Sequence, residues 1–139
     1  MRRAGELVFV DTGAWIALAL TRDPLHPRAF ETWELLAISG AKLHTSVSIV
    51  VETFTFLDRN TTRNVALAWK DSLKVVPRLR ILPSTSRDLE QAWKYFERPD
   101  LHKLSAVDAL SFVLMAERRI RVAFAFDGHF ATAGFRMAG

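Results

Sequence analysis

At 139 residues, half of them apolar, the chain is long enough to bury the core of one domain over 1–139 and gives no sign of a second. The absence of cysteine excludes disulfides, thiolate zinc sites and cysteine nucleophiles, and it is compatible with a reducing cytoplasm. Nineteen Lys and Arg against fifteen Asp and Glu give a net charge of +4, a basic balance that suits a polyanionic partner.

The amino terminus imitates a secretory signal, because Arg2 and Arg3 precede apolar residues and 14–20 is greasy. Glu6 and Asp11 interrupt it, and the run is far shorter than the roughly 20 residues of a membrane span, so a soluble protein is expected. The first strand is expected over 7–10, followed by a helix from Thr12 that ends before Asp23-Pro24. Pro27 opens a second helix to about Ile38, with Phe30, Trp33, Glu34 and Ala37 at helical spacing and Gly40 as its stop. A short strand over 42–45 leads into a helix over 47–58 that carries Glu52. After Asn60-Thr61-Thr62, a further helix is expected over 63–75, stopped by Pro77. A third strand over 79–82 is closed by Pro83, and Thr85 with Asp88 forms a capping box for a helix to about Glu97. The loop 99–103 precedes a helix that carries Asp108 and reaches about Arg119. A buried strand over 122–126 and a short edge strand within 135–138 finish the chain. Strand-length apolar runs alternating with helical segments predict an α/β fold, a central and mostly parallel sheet flanked by helices.

Four carboxylates stand out: Asp11, Glu52, Asp108 and Asp127. Asp11 and Asp127 each end a buried strand-like run, where open α/β sheets bind ligands. Glu52 and Asp108 sit inside apolar helical runs, poor places for a charge, in early turns of helices that start from the same rim. If the four converge, at an effective dielectric near 20 each pair about 4 Å apart repels by roughly 4 kcal/mol. An oxygen-ligated Mg²⁺ or Mn²⁺ would remove that conflict. With these four acids set aside the rest of the chain carries +8, so a basic exterior would surround an acidic pocket. One or two cations held by such acids can polarise a phosphoryl oxygen, lower the pKa of water and steady a leaving oxygen, which is the chemistry of phosphodiester cleavage.

Each acid also has a local explanation. Asp11 suits an N-cap, Asp127-Gly128 a turn, and Asp108 a capping box with Ser105 three residues before it. Glu52 reads equally as an exposed helical residue, although Phe56 four residues on offers it no partner. Thr12 is the best placed hydroxyl to bond a carboxylate of the set. His129 is set aside as a packed or solvated histidine. Arg59, Arg63, Lys70, Lys74, Arg78, Arg80, Arg118, Arg119 and Arg121 read as solvated faces, with phosphate binding as the alternative. Trp15, Trp33, Trp69 and Trp93 have the helical spacing of core residues, whereas Phe54, Phe56 and Leu57 exceed one core face and suit a second subunit or another protein.

Val10-Asp11-Thr12, Thr45-Ser46-Val47-Ser48 leading to Glu52, the run from Leu104 to Phe112, and Phe126-Asp127-Gly128-His129-Phe130 with Gly134-Phe135 together resemble the PIN domain. The resemblance is strongest to the VapC-like ribonuclease toxins of prokaryotic toxin–antitoxin pairs. It covers nearly the whole chain and is most specific over 104–135. It implies a PIN-like fold and a Mg²⁺- or Mn²⁺-dependent endoribonuclease whose products carry a 5′-phosphate and a 3′-hydroxyl. It also implies a homodimer and inhibition by a small cognate antitoxin. Asp11, Glu52, Asp108 and Asp127 would be the catalytic, metal-site acids. Two positions depart from the family: Ala125 where Ser or Thr is common, and Gly128 where a larger polar or basic residue is common. Two rival functions remain open. A Mg²⁺-dependent phosphatase or phosphoacceptor would use Asp11 as nucleophile, although position 13 is Gly where haloacid-dehalogenase-like phosphatases carry a second Asp. A non-catalytic RNA- or partner-binding module would keep the fold alone.

Overall fold

The uninterrupted apolar run at the start of the chain forms β1 (Leu7–Val10), in which Val8, Phe9 and Val10 are wholly buried. Such a run marks a strand covered on both faces, the situation inside a parallel sheet with helices on either side. The computed structural model describes residues 5–139, so the Arg2 and Arg3 of the apparent signal lie outside the described residues. After β1 come α1 (Thr12–Ala19), α2 (His26–Ile38), β2 (Lys42–Ser46), α3 (Val47–Asn60) and α4 (Arg63–Ser72). They are followed by β3 (Arg80–Leu82), α5 (Ser86–Ala92), α6 (Ala106–Glu117), β4 (Val122–Phe124), α7 (His129–Thr132) and β5 (Arg136–Met137). Short 3-10 turns, Leu73–Val75 and Trp93–Glu97, prolong α4 and α5.

The five strands lie in the order β3-β2-β1-β4-β5 and every pairing is parallel. Local chemistry sets most boundaries. Ser46, Thr62 and Ser105 each accept a backbone N–H three residues on and so start α3, α4 and α6. At α5 the capping box of Thr85 and Asp88 is complete in both directions. α2 stops at Gly40, whose φ of 68° lets the Gly40 and Ala41 amides reach back to the carbonyls of Ala37 and Leu36.

Packing departs from expectation in a few places. β4 ends at Phe124 rather than Phe126, because the chain turns away to enter α7, a four-residue helix too short to leave a periodic trace. Trp15 and Trp69 are core residues, and Trp15 packs edge-on to both Trp33 (5.8 Å) and Trp69 (6.0 Å). Trp93 does not belong to that core; it is 46% exposed beside Phe96. Leu57 is fully buried, so the surplus apolar face of α3 consists of Val47, Val51 and Phe56 instead. Among the described residues no helix is long and apolar enough to cross a membrane.

Thr45 ties this core to the rim of the sheet. Its hydroxyl accepts the Trp15 indole N–H at 3.2 Å and donates to the Val10 carbonyl at 2.9 Å, which holds α1 against the end of β1. Thr45→Val keeps the shape and deletes both bonds, leaving a buried indole N–H unpaired. A loss of about 1–3 kcal/mol in urea denaturation is expected, and a change within experimental error would show that this brace carries no weight.

Candidate metal centre

From β1 the chain steps outward to β2 and β3 and then returns to β4 on the opposite flank. The strand order therefore reverses between β1 and β4, and the crevice beyond their carboxyl ends is where such sheets collect ligands. Asp11 leaves β1 at this point, its amide donating to the Phe124 carbonyl at 3.0 Å, and Asp127 follows β4 by three residues. β2 runs directly into α3, which carries Glu52 in its second turn. The Ser105 cap, bonded to the Asp108 amide at 3.0 Å, puts Asp108 in the first turn of α6.

Asp11 is not spent on its local role. It stands at the N-cap of α1, yet its side chain closes no capping hydrogen bond, and Oδ1 is buried without a partner. Burial pushes its pKa up to about 7; the neighbouring amides of Thr12 and Gly13 oppose this, while the charges of Glu52 and Asp127 reinforce it. Asp108 is pushed to about 8, first by burial, then by the charge of Asp11 and by its contact with Asp127. Ser105 caps α6, but no capping box is returned by the Asp108 carboxylate, unlike that of Asp88.

Asp127 combines the turn reading with the site. Its Oδ1 accepts the His129 amide at 2.9 Å, as an Asp in a tight turn does. Burial alone would raise its pKa, but the His129 amide and imidazole, with the hydrogen bond shared with Asp108, hold it below the ordinary value. Glu52 is not buried, contrary to its apolar surroundings in sequence; it lies on the exposed face of α3. Thr12 reaches across to it, Oγ1 donating to Oε1 at 2.6 Å over a separation of forty residues. The charges of Glu52 and Asp127 reach Asp11, and those of Asp11 and Asp127 reach Asp108, so the four acids are near neighbours at this rim of the sheet.

His129 joins them, which its place in the sequence did not signal strongly. Its Nδ1 lies 2.7 Å from Asp127 Oδ1 and 3.7 Å from Asp108 Oδ2, and its Nε2 meets the His102 carbonyl. The ion pair with Asp127 and the His102 carbonyl hold the imidazole pKa above its usual value. The available clue was the two-residue interval after Asp127, since a turn there swings the ring back over the carboxylate. Crowded carboxylates, one with a buried and unpartnered oxygen, fit a divalent cation, whose two positive charges would relieve the repulsion that otherwise favours their protonation.

The remaining candidates lie outside this cluster or change it little. Ala125 is buried and offers only a methyl group. Gly128 has φ −63° and open space where a Cβ would project, so the fold does not demand glycine there. Arg63 pairs with Asp58 at 2.5 Å and Lys70 with Asp71 at 2.9 Å, as residues of solvated faces do. A broad concavity of about 1900 Å³ opens at the amino-terminal ends of β1 and β4, and none of the four acids lines it.

The PIN domain family model matches residues 8–136. The 23S rRNA-specific endonuclease VapC20 of Mycobacterium tuberculosis is 36% identical over 129 residues, which cover 93% of this chain and 95% of that protein. Its crystal structure, described as a sarcin–ricin loop cleaving toxin, superposes with a TM-score of 0.78 at 35% identity over 92% of this chain and 95% of that one. VapBC2 from Rickettsia felis, bound to a DNA fragment from its promoter, shares the fold with a TM-score of 0.70 at 13% identity, covering 94% of this chain and 96% of that one.

Proposed function

This chain belongs to the PIN domain family as a VapC-like member, and from that premise we propose that it is a metal-dependent endoribonuclease, the toxin of a toxin–antitoxin pair. The observation that carries the reading is the convergence of acids around the unpartnered Oδ1 of Asp11, at the crevice where the strand order reverses. Asp11, Glu52, Asp108 and Asp127 are the residues that would hold Mg²⁺ or Mn²⁺. When bound, such an ion neutralises the acids, polarises a phosphoryl oxygen and acidifies water for attack on phosphorus. The chain does the rest. Thr12 fixes the Glu52 carboxylate, Ser105 sets the helical turn that presents Asp108, and the His129 amide orients Asp127. The basic exterior supports RNA as the polyanionic substrate, and the 5′-phosphate and 3′-hydroxyl products that the family resemblance implies require water to attack phosphorus in line with the 3′-oxygen, which leaves as the hydroxyl.

The specificity of VapC20 makes ribosomal RNA the first substrate to test. A small cognate antitoxin is the inhibiting partner in this reading. A homodimer built from single domains over 1–139, acting in the cytoplasm, completes it. The apolar outer face of α3, with Val47, Val51 and Phe56, is the surface available for such an association. Purified protein is expected to cut ribosomal RNA in Mn²⁺ or Mg²⁺ and to be inert in chelator. Undiminished cutting in chelator, or intact RNA under every divalent ion tried, would sink the proposal.

A further inference from the structure

The His129 ring is mounted as metal-binding histidines are. Such residues offer one ring nitrogen to the ion and donate the other N–H to a backbone carbonyl or a carboxylate, which fixes the free lone pair and the ring orientation. Here Nε2 engages the His102 carbonyl. That carbonyl is presented by a turn in which the next residue, Lys103, adopts a left-handed backbone with φ 55°. Nδ1 is consequently the nitrogen turned toward the acids. It is buried, and although 2.7 Å from Asp127 Oδ1 it makes no aligned hydrogen bond. One ligand atom each from Asp108, Asp127 and His129 lie within 4.8 Å of one another. An independent observation at the same rim points to a ligand as well: Asp11, only 4% exposed, leaves Oδ1 without a partner.

Resting on the metal-dependent reading of this site, we propose that His129 Nδ1 is itself a ligand of the ion, beside Asp108 and Asp127. The centre is then a mixed nitrogen and oxygen site. Mg²⁺ is hard, keeps several waters and takes oxygen ligands, whereas first-row transition ions accept imidazole readily. The nitrogen therefore biases this chain toward transition ions over Mg²⁺, which an all-carboxylate centre does not do. An imidazole that only braces Asp127 would leave the ion with oxygen ligands and no such bias.

Mn²⁺ alone, added to the metal-free protein without RNA, provides the probe. Pulsed electron paramagnetic resonance is expected to show a directly bonded ¹⁴N that changes to ¹⁵N when the protein is made with ¹⁵N-histidine. His129→Gln is expected to lose that coupling and to weaken Mn²⁺ binding by about 10-fold or more, with Mg²⁺ affinity moving less than about 3-fold. Absence of nitrogen coupling in the unaltered protein overturns the proposal, as does an equal loss of both affinities in the variant. The labelled protein gives its answer even if the variant folds poorly. Ribosomal RNA cleavage, measured separately, keeps the two ideas apart. Cleavage without nitrogen coupling removes the histidine ligand and leaves the nuclease standing, whereas coupling without cleavage of any RNA does the reverse.

Discussion

Asp11→Asn is expected to abolish RNA cleavage and, unusually for a change at a buried polar site, to stabilise the metal-free protein at pH 8. Loss of a hydrogen-bonding partner outside the ligand set typically costs about 10–100-fold in metal affinity or activity, so loss of a carboxylate ligand should exceed roughly 100-fold. The stability gain has a separate origin. Burial lifts the Asp11 pKa from 3.8 to about 7, and at 1.36 kcal/mol per unit that is about 4 kcal/mol spent in ionising it within the fold. Asparagine never ionises, but its amide is also buried and incompletely bonded, so a net gain of about 2 kcal/mol at pH 8 is expected. At pH 5 wild-type Asp11 is protonated and the gain should vanish. Thermal melts in chelator at the two pH values, beside a cleavage assay, measure both parts. Activity within a few-fold of wild type removes Asp11 from the centre, and a variant less stable than wild type at pH 8 contradicts the buried, unpartnered carboxylate.

The metal-free protein should lose stability as pH rises from about 4 to 8, and a divalent cation should restore it. Asp11 and Asp108 have folded pKa values of about 7 and about 8, above the 3.8 of an unhindered aspartate. The folded state therefore holds their protons more tightly than the unfolded state does. Their contribution is complete below pH 3.8 and disappears as pH climbs through 7 and 8. His129, also raised, acts in the same sense above 6.5. Two groups act otherwise. Buried His44 is depressed and recovers some stability as pH rises through 6.5, and depressed Asp127 contributes above 3.8 and loses that contribution only in stronger acid. Because the charge of Asp11 is part of what raises Asp108, the two aspartate terms do not add, and a net loss of roughly 3–5 kcal/mol is expected. Mn²⁺ or Mg²⁺ should raise the melting temperature far more at pH 8 than at pH 5, where protons compete for the same oxygens. A melting temperature in chelator that stays flat or rises between pH 5 and 8.5 would show that the acids are not crowded as described.

The sheet and its helices were legible from residue order, and the four acids could be picked out as candidates, because each leaves a signal within a few positions. Val8, Phe9 and Val10 form an unbroken apolar run, which declares a doubly covered strand, and Asp11 and Asp127 stand out by ending such runs. Ser105 declares a helix start through a bond only three residues long, which places Asp108 in an early turn, and the apolar run from Val47 marks the helix that carries Glu52. What residue order could not settle were matters of distance through space: that Glu52 is exposed yet bonded to Thr12, that Trp93 misses the core, and that Asp11 forgoes its cap. The place of His129 among the acids belongs with these, since a four-residue helix has no period to read and its ring is held by a carbonyl 27 residues away. Caps, turns and apolar periods act over one or two turns of chain and so are written locally. Burial, unpaired oxygens and shifted protons depend on which distant segments pack together, and they exist only once the chain has closed around them.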